Sequence, residues 1–208
     1  MKAFRTATFG LAAVLLLVSW GNTAFGVVFG NPSPRFDQGD VGLGFRTSDY
    51  RKTVFLDYGI TDDGTLQILA GEVDVTTKEG TEYGVGYRQK IGDPIEMEVG
   101  SLGFGVFGFF RHGEADERDI NAEFQLYDAG VGAGLKIAEP ISVFAAAVIR
   151  YIELRNAPDK ADRNYKPEVD VGGAVGVEFW LWSTLLLGAE QHFGLKDDHL
   201  GLYVEVKF

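Results

Sequence analysis

A chain of 208 residues with a formal net charge of −11 lacks the basic footprint that nucleic-acid binding requires. It contains no cysteine, which excludes disulfide stapling and a lipoprotein anchor. Glycine is the compositional excess, 28 of 208 residues, against an average usage of about 7%.

Lys2 and Arg5 precede an eight-residue apolar run from Leu11 to Val18, and small residues follow around Ala24-Phe25-Gly26. This is the layout of a secretory signal peptide, with cleavage expected after Gly26. The apolar run is well short of the ~20 residues a membrane-spanning helix needs. Loss of residues 1–26 removes two basic and no acidic residues, taking the formal charge from −11 to −13. Residues 27–208 are long enough for one domain.

No long helical periodicity follows residue 26. Instead the chain shows about ten alternating segments separated by turn signals. In order they are Asp40–Thr47, Thr53–Ile60, Thr65–Thr76, Glu82–Ile91, Ile95–Arg111, Ala122–Ile137, Ile141–Glu153, Glu168–Trp180, Thr184–Gly194 and His199–Phe208. Compact links ("TDDG", "GDP", "AEP", "LWS") alternate with polar ones ("SDYRK", "TKEG", "HGEADERDIN", "LRNAPDKADRNYKP"), and only the ninth, "LKDDH", is short on the polar side. Short turns at one end and polar loops at the other predict an all-β, up-and-down antiparallel transmembrane barrel. Ten strands fit best and eight are the alternative; an even count brings both termini to the turn side.

One face of these segments is apolar. Tyr58, Tyr83, Tyr87, Tyr151, Phe179 and Phe208 stand near its ends, where aromatic girdles belong. The other face carries the expected lumen-lining set: Arg46, Asp57, Glu72, Arg88, Arg111, Arg150, Asp170, Glu178, Glu190 and His192. Asp74, Lys90, Lys136, Glu205 and Lys207 join it, giving seven basic and seven acidic residues with His192 aside. A soluble lipocalin-like barrel would turn the apolar face inward; a membrane barrel does the reverse. Interleaved glycines ("YGVGY", "LGFGVFGFF", "AGVGAGLKI") suit a narrow lumen better than a wetted surface. Balanced charge suits it too, because a confined charge is tolerable when paired. Arg150 and Asp170, on strands joined by the seventh loop, are expected to form such a pair.

The signal peptide, the Gly-rich alternation and the closing "YVEVKF" resemble small outer-membrane β-barrel proteins of the OmpA/OmpX/OmpW kind. The resemblance covers residues 27–208 as an architecture, without a motif for one function. It implies a bacterial outer-membrane location, contact with lipid and lipopolysaccharide, and a last strand read by the barrel-assembly machinery through Tyr203, Val204, Val206 and Phe208. The implied function is a narrow porin-like passage for small polar solutes, or a structural surface barrel.

Catalytic patterns are incomplete. His112 and His192 lack the Ser two residues on that outer-membrane lipid hydrolases use, since Glu114 and Gly194 stand there. Asp197 and His199 match the outward-facing Asp-x-His of omptin-like surface proteases, where a carboxylate-oriented His serves as general base. The second acidic pair those enzymes need is absent at the loop end, because Asp62-Asp63 falls in a turn. Asp62, Asp63, Asp159 and Asp162 lack calcium-loop spacing, so no metal is expected, and no cofactor.

Overall fold

In these segments one inner position after another is glycine or a large side chain, and that alternation shapes the sheet. The computed structural model describes residues 31–32, 36–48, 51–75, 78–117, 120–138, 140–155, 168–182, 184–195 and 199–208. The signal segment 1–26, Asp159, Asp162, Asp197 and the Asp74 side chain lie outside the described residues.

Ten strands follow in chain order: β1 Val41–Ser48, β2 Arg51–Thr61, β3 Gly64–Val75, β4 Lys78–Met97, β5 Gly100–Glu117, β6 Ile120–Ala138, β7 Ile141–Arg155, β8 Glu168–Leu181, β9 Leu185–Phe193 and β10 His199–Lys207. Each pairs antiparallel with its chain neighbour, and β10 pairs with β1, so the barrel is closed and no edge remains. Expected and observed segments agree in number and order.

Two boundaries differ. "GDP" reads as a turn, but β4 runs through it to Met97; the register shifts between Ile91 and Ile95, and Gly92 sits at φ 66°. Glycine and proline here make a bulge, which uses the same residues as a turn. "HGEADERDIN" reads as a long loop, yet β5 and β6 continue together to Glu117↔Ile120. Charge alone does not stop a strand where its partner supplies the ladder.

The faces fall as a membrane barrel requires. Outward apolar residues meet the surroundings: Val54 is 53% exposed, Val131 56% and Val171 67%. Such an apolar band is no surface for water, and among the described strand residues only Phe45, Val204 and Val206, at the seam of β1 and β10, have outward side chains that are buried. Aromatics rim it at both ends. Tyr58, Tyr87, Phe179, Phe208 and Trp182 are exposed on the turn side. On the loop side Phe110, Tyr127 and Tyr151 are direct register partners with ring centroids 5.0 and 5.8 Å apart. The inward face carries the charges, so the lipocalin-like reading, with apolar residues inside, does not hold.

Glycine makes room inside. Six large inner rings each lie over a glycine that is their direct register partner: Phe55 on Gly44, Phe109 on Gly86, Phe124 on Gly113, Phe107 on Gly130, Phe144 on Gly176 and Tyr203 on Gly188. A Cβ on any of these glycines would overlap the ring. The cross-strand unit is thus a ring paired with a missing side chain.

At the turn side Lys207 pairs with Asp40 at 2.5 Å, and the Phe208 amide donates to the Val41 carbonyl at 2.8 Å. Burial opposes ionisation of Asp40, but bonds from Lys207 and the Asp37 amide outweigh it and hold its carboxyl below the ordinary value.

Gly86→Ala is expected to destabilise the barrel by about 1–3 kcal/mol, because Phe109 must leave its place. Gly108→Ala, whose Cβ would meet only the Asp128 carbonyl oxygen at an ordinary 3.8 Å, has no ring to displace. Urea unfolding of the two variants in detergent checks this: the Gly86 variant is expected to lose the more, and its midpoint should be partly restored by Phe109→Leu.

Candidate functional site

The lumen is the candidate site, and each strand contributes alternate residues to it. Of the ten expected lining residues, Arg46, Asp57, Arg88, Arg111, Arg150, Glu178, Glu190 and His192 are buried inside the barrel. Asp170 points in but is only half-buried. Glu72 is a correction: it is exposed on the outward face, beside its register partner Lys52. The inner face of β3 is the set Thr65, Gln67, Leu69 and Val73, and a strand has no third face for a charge.

Three polar groups stand out in the lumen, each centred on one arc of wall. On β1 to β4, Arg46 Nη2 donates to Gln67 Oε1 at 2.8 Å, and Gln67 Nε2 donates to Asp57 Oδ1 at 2.7 Å. Arg88 Nη2 stands 3.5 Å from the other Asp57 oxygen. Arg46 also lies over the Phe55 ring at 4.2 Å, so a guanidinium face finds a π face where it has no water. Towards the loop end Glu82 takes Arg51 at 3.4 Å and the Thr53 hydroxyl at 3.2 Å.

On β5 to β7, Asp128 stands between two arginines. Arg111 Nη2 donates to its Oδ2, and Arg150 Nε donates to its Oδ1 at 2.7 Å. Here the expected pairing is corrected: Arg150 takes Asp128, its register partner on β6, rather than Asp170, its register partner on β8. Asp128 is buried and already faces Arg111, so the pair becomes a triad. Sequence reading overlooked Asp128, although it shares the parity of Lys136 on the same strand.

On β8 to β10, Glu178 is fully buried and accepts four donors. Tyr203 OH and the Asn31 amide reach Oε1 at 2.5 and 3.2 Å, while Ser142 Oγ and Asn31 Nδ2 reach Oε2 at 3.0 and 3.3 Å. Tyr203 turns into the lumen, on the face opposite Val204, Val206 and Phe208, as the alternation of β10 expects. Nearby, His192 contacts Glu190 and stacks on His199 with centroids 4.2 Å apart. His199 therefore lies inside the barrel, not on the outer surface where an omptin-like pair would stand.

Lys90, Lys136 and Lys207 belong to the turn-side rim. Lys90 is 2.7 Å from Asp63, and Lys136 is exposed. Between the polar groups, Phe107, Phe109, Ala146, Val148, Ala174 and Leu195 form one buried apolar cluster. Among the described residues no group of three or more His, Cys, Asp or Glu could hold a metal ion.

Asp128→Ala leaves two buried guanidiniums without their shared anion and is expected to cost about 3–5 kcal/mol. Asp170→Ala, at a half-buried position, should cost far less. Thermal unfolding of the two variants in micelles checks the order.

No known protein family and no curated protein match the chain. Several solved structures share its architecture at low identity. The N-terminal β-barrel domain of Pseudomonas aeruginosa OprF gives a TM-score of 0.43 at 15% identity, over 83% of this chain and 100% of that one. OmpT of Vibrio cholerae, an outer-membrane protein, gives 0.36 at 12%, over 90% of this chain and 71% of that one. Ail, the attachment invasion locus protein of Yersinia pestis, gives 0.34 at 13%, over 82% and 99% respectively.

Proposed function

We propose that the chain is a bacterial outer-membrane barrel whose lumen is a narrow, charge-lined passage for small polar solutes. One observation carries the reading: the hydrogen-bonded charges of the inner face join strands a short step apart along the wall. Arg46, Gln67, Asp57 and Arg88 link β1 to β4, Arg111, Asp128 and Arg150 link β5 to β7, and Tyr203 and Glu178 link β10 to β8. Such pairs stiffen each arc, and a narrow lumen lined by them would select by charge and size. A filled structural barrel is the second reading, favoured by the apolar cluster that joins Phe107 and Phe109 on β5 to Val148 and Ala174.

Planar-bilayer recording of the refolded protein separates the two. Small steady openings whose ion preference shifts with Arg88→Glu support the passage. Silence from a folded barrel supports the structural reading. Peptide cleavage lost on His199→Ala would overturn both in favour of an enzyme.

Lipid and lipopolysaccharide would meet the outward band, and the assembly machinery would meet the exposed Phe208 that follows β10. Phe208 is 64% exposed at the turn-side rim. Phe208→Asp is expected to impair membrane insertion far more than a charge change in the loop at Asp159 to Asn164. Fractionation and heat-modifiable migration on a gel read the difference; equal insertion of both refutes this role.

A further inference from the structure

The turn-side half of the lumen is filled by the chain's own Asn31 and Pro32, both buried. Three inner glycines form the floor beneath them. A Cβ on Gly105 would strike the Pro32 carbonyl, one on Gly132 would come within 2.7 Å of Pro32 Cγ, and one on Gly134 would meet the Asn31 amide. Unlike the glycines of the ring pairs, these have no aromatic of the wall lying over them. The wall leaves a trough, and a segment from before β1 lies in it.

What holds the pair is a charged acceptor. Asn31 presents two N–H donors, its backbone amide and Nδ2, one to each oxygen of Glu178. Ser142 and Tyr203 complete the same carboxylate from β7 and β10. Two adjacent N–H groups facing two carboxylate oxygens is the pattern an amidinium or guanidinium makes bidentately. Asn31 is therefore an internal copy of such a ligand, bound through neutral donors and without the charge that would strengthen it.

We propose that Asn31 and Pro32 form a displaceable plug on a solute site built from Glu178, Ser142, Tyr203 and the floor glycines, and that amidinium-type cations compete for that site. The proposal rests on the passage reading for its purpose but not for its test, which follows plug position and not current.

The chain has no cysteine, so Pro32→Cys supplies a single thiol at the plug. N-ethylmaleimide labelling of the refolded full chain in detergent is expected to be slow. Adding Glu178→Gln should raise the rate about tenfold or more, as loss of a charge-assisted hydrogen-bond set would. Tyr203→Phe, which keeps the ring over Gly188, should raise it less and guards against a folding defect; heat-modifiable migration confirms closure of each barrel. Acetamidinium chloride at millimolar concentration should accelerate labelling of the Pro32→Cys protein but not of the Glu178→Gln double variant, and sodium acetate should accelerate neither. Fast labelling of the parent, or a rate unmoved by both Glu178→Gln and acetamidinium, overturns the proposal. Equal rates in acetamidinium and acetate overturn the ligand assignment. A silent bilayer with these labelling results would sink the passage reading alone.

Discussion

Space inside the barrel governs everything else in this structure. Ten strands enclose an interior that side chains nearly fill. A phenylalanine standing upright on one wall would run towards the other; lying flat, it needs a neighbour without a Cβ. Each of six inner rings has that neighbour as its direct register partner. The pairing also locks register. A slip of one residue would turn the ring to the opposite face of the sheet.

The same narrowness decides how charges are arranged. A buried carboxylate costs several kcal/mol unless its partners are close and well oriented. On a closed sheet the neighbouring strands offer the shortest reach, and the pairs stay within one arc of wall. Asp128 takes guanidiniums from both sides in this way. Glu178 reaches two strands away to Tyr203, and Tyr203 can be there only because Gly188 lets its ring lie down. Packing of the rings and pairing of the charges are one solution to one volume.

Much of the architecture was legible because period-two alternation reports which residues share a face, and most expected lining residues lie on the inner face. What failed had local physical causes. Glu72 was read inward because it is charged, while parity with Gln67 and Thr65 would have placed it outside. Turn residues at Gly92 and Pro94 serve a bulge, which no local signal distinguishes from a turn. Asp128, Gln67 and Glu82 were missed because they sit among apolar or neutral neighbours. Charge balance on the face was read as neutral, yet the buried set holds six carboxylates, from Asp57 to Glu205, against four guanidiniums.

Least legible was the contribution from outside the strands. Asn31 and Pro32 belong to no alternating segment, so nothing in the period marks them as lumen residues. The mark lies in what they cover. An inner glycine beneath a ring has its reason within the sheet, but Gly105 and Gly134 lie first against Pro32 and Asn31, and Gly132 touches Pro32 as well as the β7 backbone. Glycine in a strand interior weakens it unless something must come close. A run of inner glycines with no ring opposite is therefore a sign of an occupant that the strands do not supply. Glu178 lies beside that trough with both oxygens turned to donors from it, so the gap is polar as well as empty of wall side chains. A trough of that kind takes its filler by hydrogen bonding at Asn31 and by close fit at Pro32, and this is why a segment of asparagine and proline can occupy it without being part of the barrel.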